Sequence, residues 1–202
     1  MRVSGGYQQV QVSSRRQWRA WLGENHSSAS GVWLITWKKA SGGPHVPYDD
    51  MVEEALAHGW VDSKGHTLDQ DRWQLLMTPR KPRSKWSRAN KERIERLSAA
   101  GLMHPAGEAA VAAAKENGAW SALDEVEALT EPEDLRQALD ASPDARRHWD
   151  AFPPSAKRAI LEWISNAKRV ETRAKRVQET ARLAAHDVRA NQWRQPKKRR
   201  SV

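Results

Sequence analysis

Residues Gly59 to Asn90 read GWVDSKGHTLDQDRWQLLMTPRKPRSKWSRAN, and their pattern decides the fold class. Trp60 and Val61 open a strand-like run near 60–64. Trp73, Leu75 and Met77 alternate with Gln74 and Thr78 in a second run near 72–78. Period-two alternation marks a half-buried strand, and the polar turn from Gly65 to Asp71 makes the two runs an antiparallel pair. Pro79 to Asn90 then holds five cations, a Trp, two Ser and an Asn within twelve residues. This segment joins a strand to a helix, where backbone N–H groups and long cations can converge on an anion.

Working outward, the first half reads α-β-α-β-β. Ser14 and Gln17 form a capping box for a helix near 14–25, and Trp18, Trp21 and Leu22 follow at helical spacing. Val32 to Trp37 is β-branched and aromatic and reads as a strand. Pro47 precedes a helix near 48–57 with Met51, Val52, Ala55 and Leu56 on its apolar side, and Gly59 is its C-terminal stop. Residues 1–12 carry no such signal and are expected to fray. From Lys85 onward only helices are legible: about 86–100, Pro105 to Gly118, 132–140, 143–151, and one or two long helices after Pro154 with an apolar stripe from Ile160 to Ala184. The expected fold is therefore α+β, a small three-stranded antiparallel sheet with helices followed by a helical C-terminal half. The expected division is 13–101, 102–190 and a disordered basic tail at 191–202. With no long linker between them, the halves are expected to pack as one unit.

The 202 residues carry a net charge of +9, unevenly placed. Residues 79–96 hold eight Lys/Arg and two Glu (+6), and 168–200 hold twelve Lys/Arg and three acids (+9), leaving −6 elsewhere. Local positive fields attract phosphates and acidic surfaces, although a charge run also serves simply as a solvated face. The absence of Cys excludes disulfides, thiolate catalysis and Cys-based zinc sites. The N-terminus lacks the roughly 7–15 residue apolar core of a secretory signal, and no run reaches the ~18 apolar residues of a membrane span, so residence in the cytoplasm is expected. Eleven Trp bury large areas, and most are expected in the core.

Catalytic motifs are sparse. His58, Asp62 and His66 have helical spacing, but Gly59 breaks the helix and Val61 favours a strand, where four residues span about 13 Å, too far for one ion. No metal and no cofactor are expected. Asp50, Glu53, Glu54 and Asp62 could supply an acid/base pair; a solvated helix edge is the simpler reading. In the basic block, Arg80 and Arg83 can each grip a phosphate or carboxylate with two N–H groups. Ser84 or Ser87 would cap the following helix, and Trp86 would either stack on a ligand or anchor the loop. In the second basic patch, Lys168, Arg169, Arg173, Lys175 and Arg176 cover much of a helix surface. They would serve solubility or track a phosphate backbone without reading sequence.

Five stretches resemble the YdeI/OmpD-associated family of bacterial proteins: GVWLITWKK, PYDDMVEEALAHGWVDS, PRKPRSKWSRANKERIERL, GLMHPAGEAAVAAAKENGAW and SAKRAILEWISNAKRVETRAKRV. The likeness is collinear over residues 14–185, and the last stretch resembles the family's C-terminal OmdA segment. The resemblance implies protection against bacteriocins or antimicrobial peptides, and members are sometimes described as periplasmic. Most such peptides are cationic and would be repelled by a +9 chain, which favours an indirect route. Positions matching the family pattern include Lys38, Lys39, Tyr48, Asp62, Arg80, Ser84, Trp86 and Asn90, and these eight form the expected ligand set.

Three readings follow. The first is a cytoplasmic, non-enzymatic family member tied to envelope or antimicrobial stress, binding an anionic small molecule or phosphate-bearing partner at that set. The second is a sequence-tolerant nucleic-acid module using 167–176 and the tail. The third is an enzyme on an anionic small molecule, with Asp62 or Glu54 as base and Arg80 as clamp. The sequence leaves the oligomeric state open.

Overall fold

The computed structural model describes residues 3–4 and 6–192. They form two compact units, divided between residues 122 and 123. The first is α+β. It contains β1 (Val3–Ser4), β2 (Tyr7–Gln11), α1 (Arg15–Asn25), β3 (Val32–Trp37), α2 (Tyr48–Ala57), β4 (Trp60–Thr67), β5 (Arg72–Pro79), α3 (Arg88–Ala99) and α4 (Pro105–Glu116). A single 3-10 turn, Lys39–Ser41, follows β3.

The sheet has five strands in the order β1-β2-β3-β5-β4. The expected antiparallel triplet β3-β5-β4 is present, with Leu34 opposite Leu75 and Trp60 opposite Pro79. The expectation of only three strands is corrected by the N-terminal residues. β2 runs parallel to β3, Gln8 opposite Val32, and makes the sheet mixed. Residues 7–11 therefore do not fray. Their side chains give no alternating signal, and their place comes from the open edge of β3 and from polar contacts such as Gln9 to Gln74 (3.2 Å) and Arg72 to Gln11 (2.9 Å). Between Asp62 and Gly65 the β4 register shifts by one residue against β5, a bulge beside the candidate site.

Alternate side chains of β3 and β5, Val32, Leu34, Leu75 and Met77, meet α1 and α2 through Trp18, Leu22, Met51, Val52 and Leu56. Ser14 caps α1 by accepting from Gln17 N–H, while the Gln17 side chain reaches back to Ser13 rather than to the cap residue. α4 packs on this core through Val111 and Ala114, so it belongs to the sheet-containing unit, and the boundary lies 21 residues beyond the expected 101. Its small residues allow that approach. A Cβ on Gly107 would lie 2.1 Å from the Ala57 carbonyl oxygen, which already accepts from His104 N–H. Gly107→Ala is accordingly expected to cost about 1–3 kcal/mol, because backbone cannot yield as a side chain does. Urea unfolding measures it, and an unchanged midpoint would refute the contact.

The second unit is helical: α5 (Asp124–Glu127), α6 (Glu133–Asp140), α7 (Pro143–Ala151), α8 (Pro154–Ser165) and α9 (Val170–Ala184). Leu135, Leu139, Trp149, Ile160, Ile164 and Val177 form its core. The apolar stripe after Pro154 is split between α8 and α9 by residues 166–169. The expected disordered tail falls, beyond residue 192, outside the described residues.

Candidate functional site

Pro79 ends β5, and Ser87 caps α3 by accepting from Asn90 N–H. Between them, Arg80, Lys81, Ser84 and Lys85 wall an open hollow of about 580 Å³ with β4 and the N-terminal strand region. Asp62, Ser63, Arg80, Lys81, Ser84 and Lys85 line it, joined by Tyr7 and Ser30. Tyr7 is held there by Gly31, where a Cβ would come within 2.8 Å of the phenol ring.

Arg80 is the unusual group. Its guanidinium lies 3.7 Å from the centre of the Trp86 ring, and its Nη2 donates to the Lys85 carbonyl at 2.5 Å. The side chain as a whole is half-buried, yet Nε and Nη1 are closed off from solvent and have no acceptor in the protein. The Trp86 indole N–H beside them is also buried without an acceptor. Burial pushes the Arg80 pKa down to about 10, and the nearby Asp62 carboxylate acts in the opposite sense. Asp62 in turn accepts from the Tyr48 hydroxyl at 2.7 Å.

The expected ligand set does not converge as one site. Asp62, Arg80 and Ser84 line the hollow, and Tyr48 reaches it through Asp62. Trp86 is a core residue, 1% exposed, offering its face to Arg80 rather than to solvent. Asn90 turns to Arg93, accepting from Nη1 at 3.0 Å, and Arg93 continues to Asp49 at 2.5 Å. Lys38 and Lys39 line a different depression beside Trp37, Trp73 and Tyr48. Arg83 is exposed and outside the hollow.

Two groupings were not legible in the sequence. Glu54 is no solvated edge. It is 1% exposed and accepts from Arg15 (2.5 Å) and Arg19 (2.6 and 2.7 Å). Burial alone would raise its pKa, but the hydrogen bonds from Arg19 and Arg15 outweigh burial and hold it below the usual carboxylate range. It is thus a poor general base and does not line the Arg80 hollow, whereas Asp62 does. His26, His58 and His104 also meet, with ring centres 4.6–5.8 Å apart, at the ends of α1, α2 and α4. Nδ1 of His26 and of His58 donates to a carbonyl, while Nδ1 of His104 accepts from Ala106 N–H. Among the described residues no His/Cys/Asp/Glu group is arranged to hold a metal ion. His58, Asp62 and His66 go to separate partners, His66 to Gln74 and the Trp33 ring.

The second basic patch is not one helical surface. Lys168 and Arg169 lie in the α8–α9 connection, before α9 begins at Val170. Arg173 is bound by Asp134 at 2.7 and 2.9 Å, and Arg176 donates to the Trp163 carbonyl with its charge over that ring. Lys168, Arg169 and Lys175 remain exposed.

Comparison with known families adds the ancestry. Residues 10–110 match a domain of unknown function, DUF8412, which is 101 of the 202 residues and half of the chain. Residues 128–187 match the OmdA model, described as bacteriocin-protection, YdeI or OmpD-associated. The chain belongs to the DUF8412 family and carries a YdeI/OmpD-associated OmdA segment. The likeness that the sequence showed to one family is thus divided between two models, with the second unit as the OmdA part. No curated protein and no solved structure matches the chain. Among the described residues no helix is long and apolar enough to cross a membrane.

Proposed function

We propose that this OmdA-carrying chain is a non-catalytic cytoplasmic protein that binds a small phosphate-type anion in the Arg80 hollow. Any protection against bacteriocins or antimicrobial peptides would be an indirect consequence of that binding. One observation carries the reading: Arg80 lines the hollow, and two N–H groups of its half-buried guanidinium, Nε and Nη1, have no acceptor in the protein. Buried donors without acceptors are rare, because each forfeits hydration and gains no bond. A guanidinium drawn out of water regains most when an anion accepts from it, and a planar two-pronged donor suits phosphate. Lys81 and the hydroxyls of Ser30, Ser63 and Ser84 add charge and rim donors. Asp62 offers an acceptor in the same hollow, which favours an anion carrying a hydroxyl over a bare ion.

Titration of the full chain with glycerol phosphate, followed by calorimetry at low salt, tests this. Arg80→Met keeps an apolar stem on Trp86 and removes an unpaired charge, so the fold is expected to hold or gain slightly. Its affinity is expected to fall at least about tenfold, a loss of about 1.4 kcal/mol, while Arg83→Met stays within about twofold of wild type. Absence of wild-type binding at about 10 mM, or equal affinity in the Arg80→Met variant, would overturn the reading.

A further inference from the structure

His26, His58 and His104 bring two helix C-termini and one helix N-terminus together: His26 is the C-cap of α1, His58 the C-cap of α2 and His104 the N-cap of α4. The His104 ring lies closest to both others, 4.6 Å edge-on from His26 and 4.8 Å stacked on His58. We propose that the trio is an acid-released latch: while neutral it holds the first turn of α4 against α2, and a proton taken up by the trio frees that turn with the rest of the unit still folded. This device is separate from the Arg80 hollow and does not rest on the reading given there.

Four features support it. First, the hydrogen bonds fix which nitrogen can take a proton. Nδ1 of His26 donates to the Leu22 carbonyl and Nδ1 of His58 to the Glu54 carbonyl, each at 2.9 Å, so Nε2 of both rings is a bare acceptor. Nδ1 of His104 already accepts from Ala106 N–H at 3.2 Å, so a second proton on that ring would cost α4 its cap. Second, the helix dipoles are opposed. A proton on His26 or His58 is favoured by the negative ends of α1 and α2, but it meets the positive N-terminus of α4. Third, no carboxylate relieves that charge. Glu54 is taken up by Arg15 and Arg19, and among the described residues no ion pair joins any of the three rings to an acid. Glu24 of α1 and Glu108 of α4 are exposed to water, Asp62 of β4 is bound by Tyr48, and the Arg80 guanidinium lies on the Trp86 ring. Fourth, His58 is only 7% exposed, and burial pushes its pKa below 6.5.

The packing selects α4 as the element that yields. α1 and α2 are anchored on the sheet by Trp18, Leu22, Met51, Val52 and Leu56, whereas α4 meets this core through Val111 and Ala114 and touches α2 at Gly107. It has much less apolar area to lose, and segments with little buried area open first. Its first turn is tied to α2 by the bond from His104 N–H to the Ala57 carbonyl at 3.0 Å. With the turn displaced, His58 regains water, so each pH unit below 6.5 favours the open form by up to about tenfold per proton. Met103, which lines a small apolar cleft with Ile94 and Val111, moves with that turn, so acid bares apolar surface between α3 and α4.

Hydrogen exchange of the full chain, resolved along the sequence and corrected for the intrinsic rate, tests this at about pH 7.5 and about pH 5. Glu54 stays charged over that range, because its carboxyl is held below the usual 4.5. Protection over residues 104–110 is expected to fall at least about tenfold on acidification, while β3 and β5 hold within about twofold. His104→Asn keeps a good N-cap and removes the central ring, so its fall over 104–110 is expected to stay within about twofold. His58→Gln, whose amide supplies an N–H in place of the ring donor, is expected to behave likewise and keeps the test decisive if the first variant is unstable. An equal loss of protection in β3 and β5 overturns the proposal, because the unit would then be unfolding as a whole. So does unchanged protection over 104–110 in the wild type, and so does a full loss retained in either folded variant.

Discussion

Glu54→Gln is expected to lower the unfolding free energy of the first unit by about 3 kcal/mol, among the largest single effects in the chain. Glu54 is almost fully buried and receives N–H groups from Arg15 and Arg19. The amide keeps the shape but loses the charge that two guanidiniums were placed to meet. Arg15 retains Asp50 and Glu53, at 3.0 and 3.1 Å, and both arginines are partly open to water, which is why the loss stays at the lower end for a broken buried pair. The same carboxylate shapes the pH response. Its folded pKa lies below the unfolded one, so its stabilisation is complete above the ordinary value of 4.5 and is lost as pH falls through the folded pKa. His58 acts earlier. Burial, with the neighbouring His104 and His26, pushes its pKa below 6.5, so the unfolded chain takes up the proton first and stability declines as pH falls below 6.5. Urea midpoints between pH 8 and pH 3 should show both phases in the wild type, with the lower one flattened in Glu54→Gln. A variant as stable as wild type at neutral pH would remove Glu54 from the structural account.

Trp149→Ala is expected to cost about 3–5 kcal/mol in the helical unit. Trp149 is fully buried, packs edge-on to Phe152 with ring centres 6.1 Å apart, and donates its indole N–H to Glu131 at 2.7 Å. Glu131 also receives both arms of Arg146, at 2.7 and 2.8 Å. The Arg146 hydrogen bonds, with a further one from Trp149, hold the Glu131 carboxyl below the usual range against the effect of burial. Truncation therefore opens a cavity and withdraws one donor from a carboxylate that keeps another. Trp149→Phe separates the terms: it fills most of the volume and is expected to cost about 1–2 kcal/mol. Hydrogen exchange resolved along the chain should lose protection first in α6, α7 and α9. A loss under about 1 kcal/mol for the Ala variant would contradict the packing described.

Both predictions concern residues whose importance the sequence only half disclosed. Trp149 was one of eleven Trp expected mostly in the core, within a helix expected at 143–151, and the structure places that helix at Pro143–Ala151. Glu54 read as one acid among several on a helix edge, because its partners lie 35 and 39 residues away in α1. The histidine trio was invisible for the same reason, being assembled from three helix ends.

Local chemistry by itself determined the elements whose signals lie within a few residues: β3 between Gly31 and Lys38, α2 between Pro47 and Gly59, the β4–β5 pair and the OmdA-type helices. Side-chain period, caps and glycine stops act over one or two turns, so they are written in order along the chain. Only the tertiary structure decided that Tyr7–Gln11 joins the sheet, that α4 belongs with it, and that Lys38 and Lys39 part from Arg80 to line a different depression. Those outcomes depend on which strand edge is left open and which surfaces meet. Burial, in turn, makes Glu54 an anchor and leaves Arg80 a cation with donors to spare.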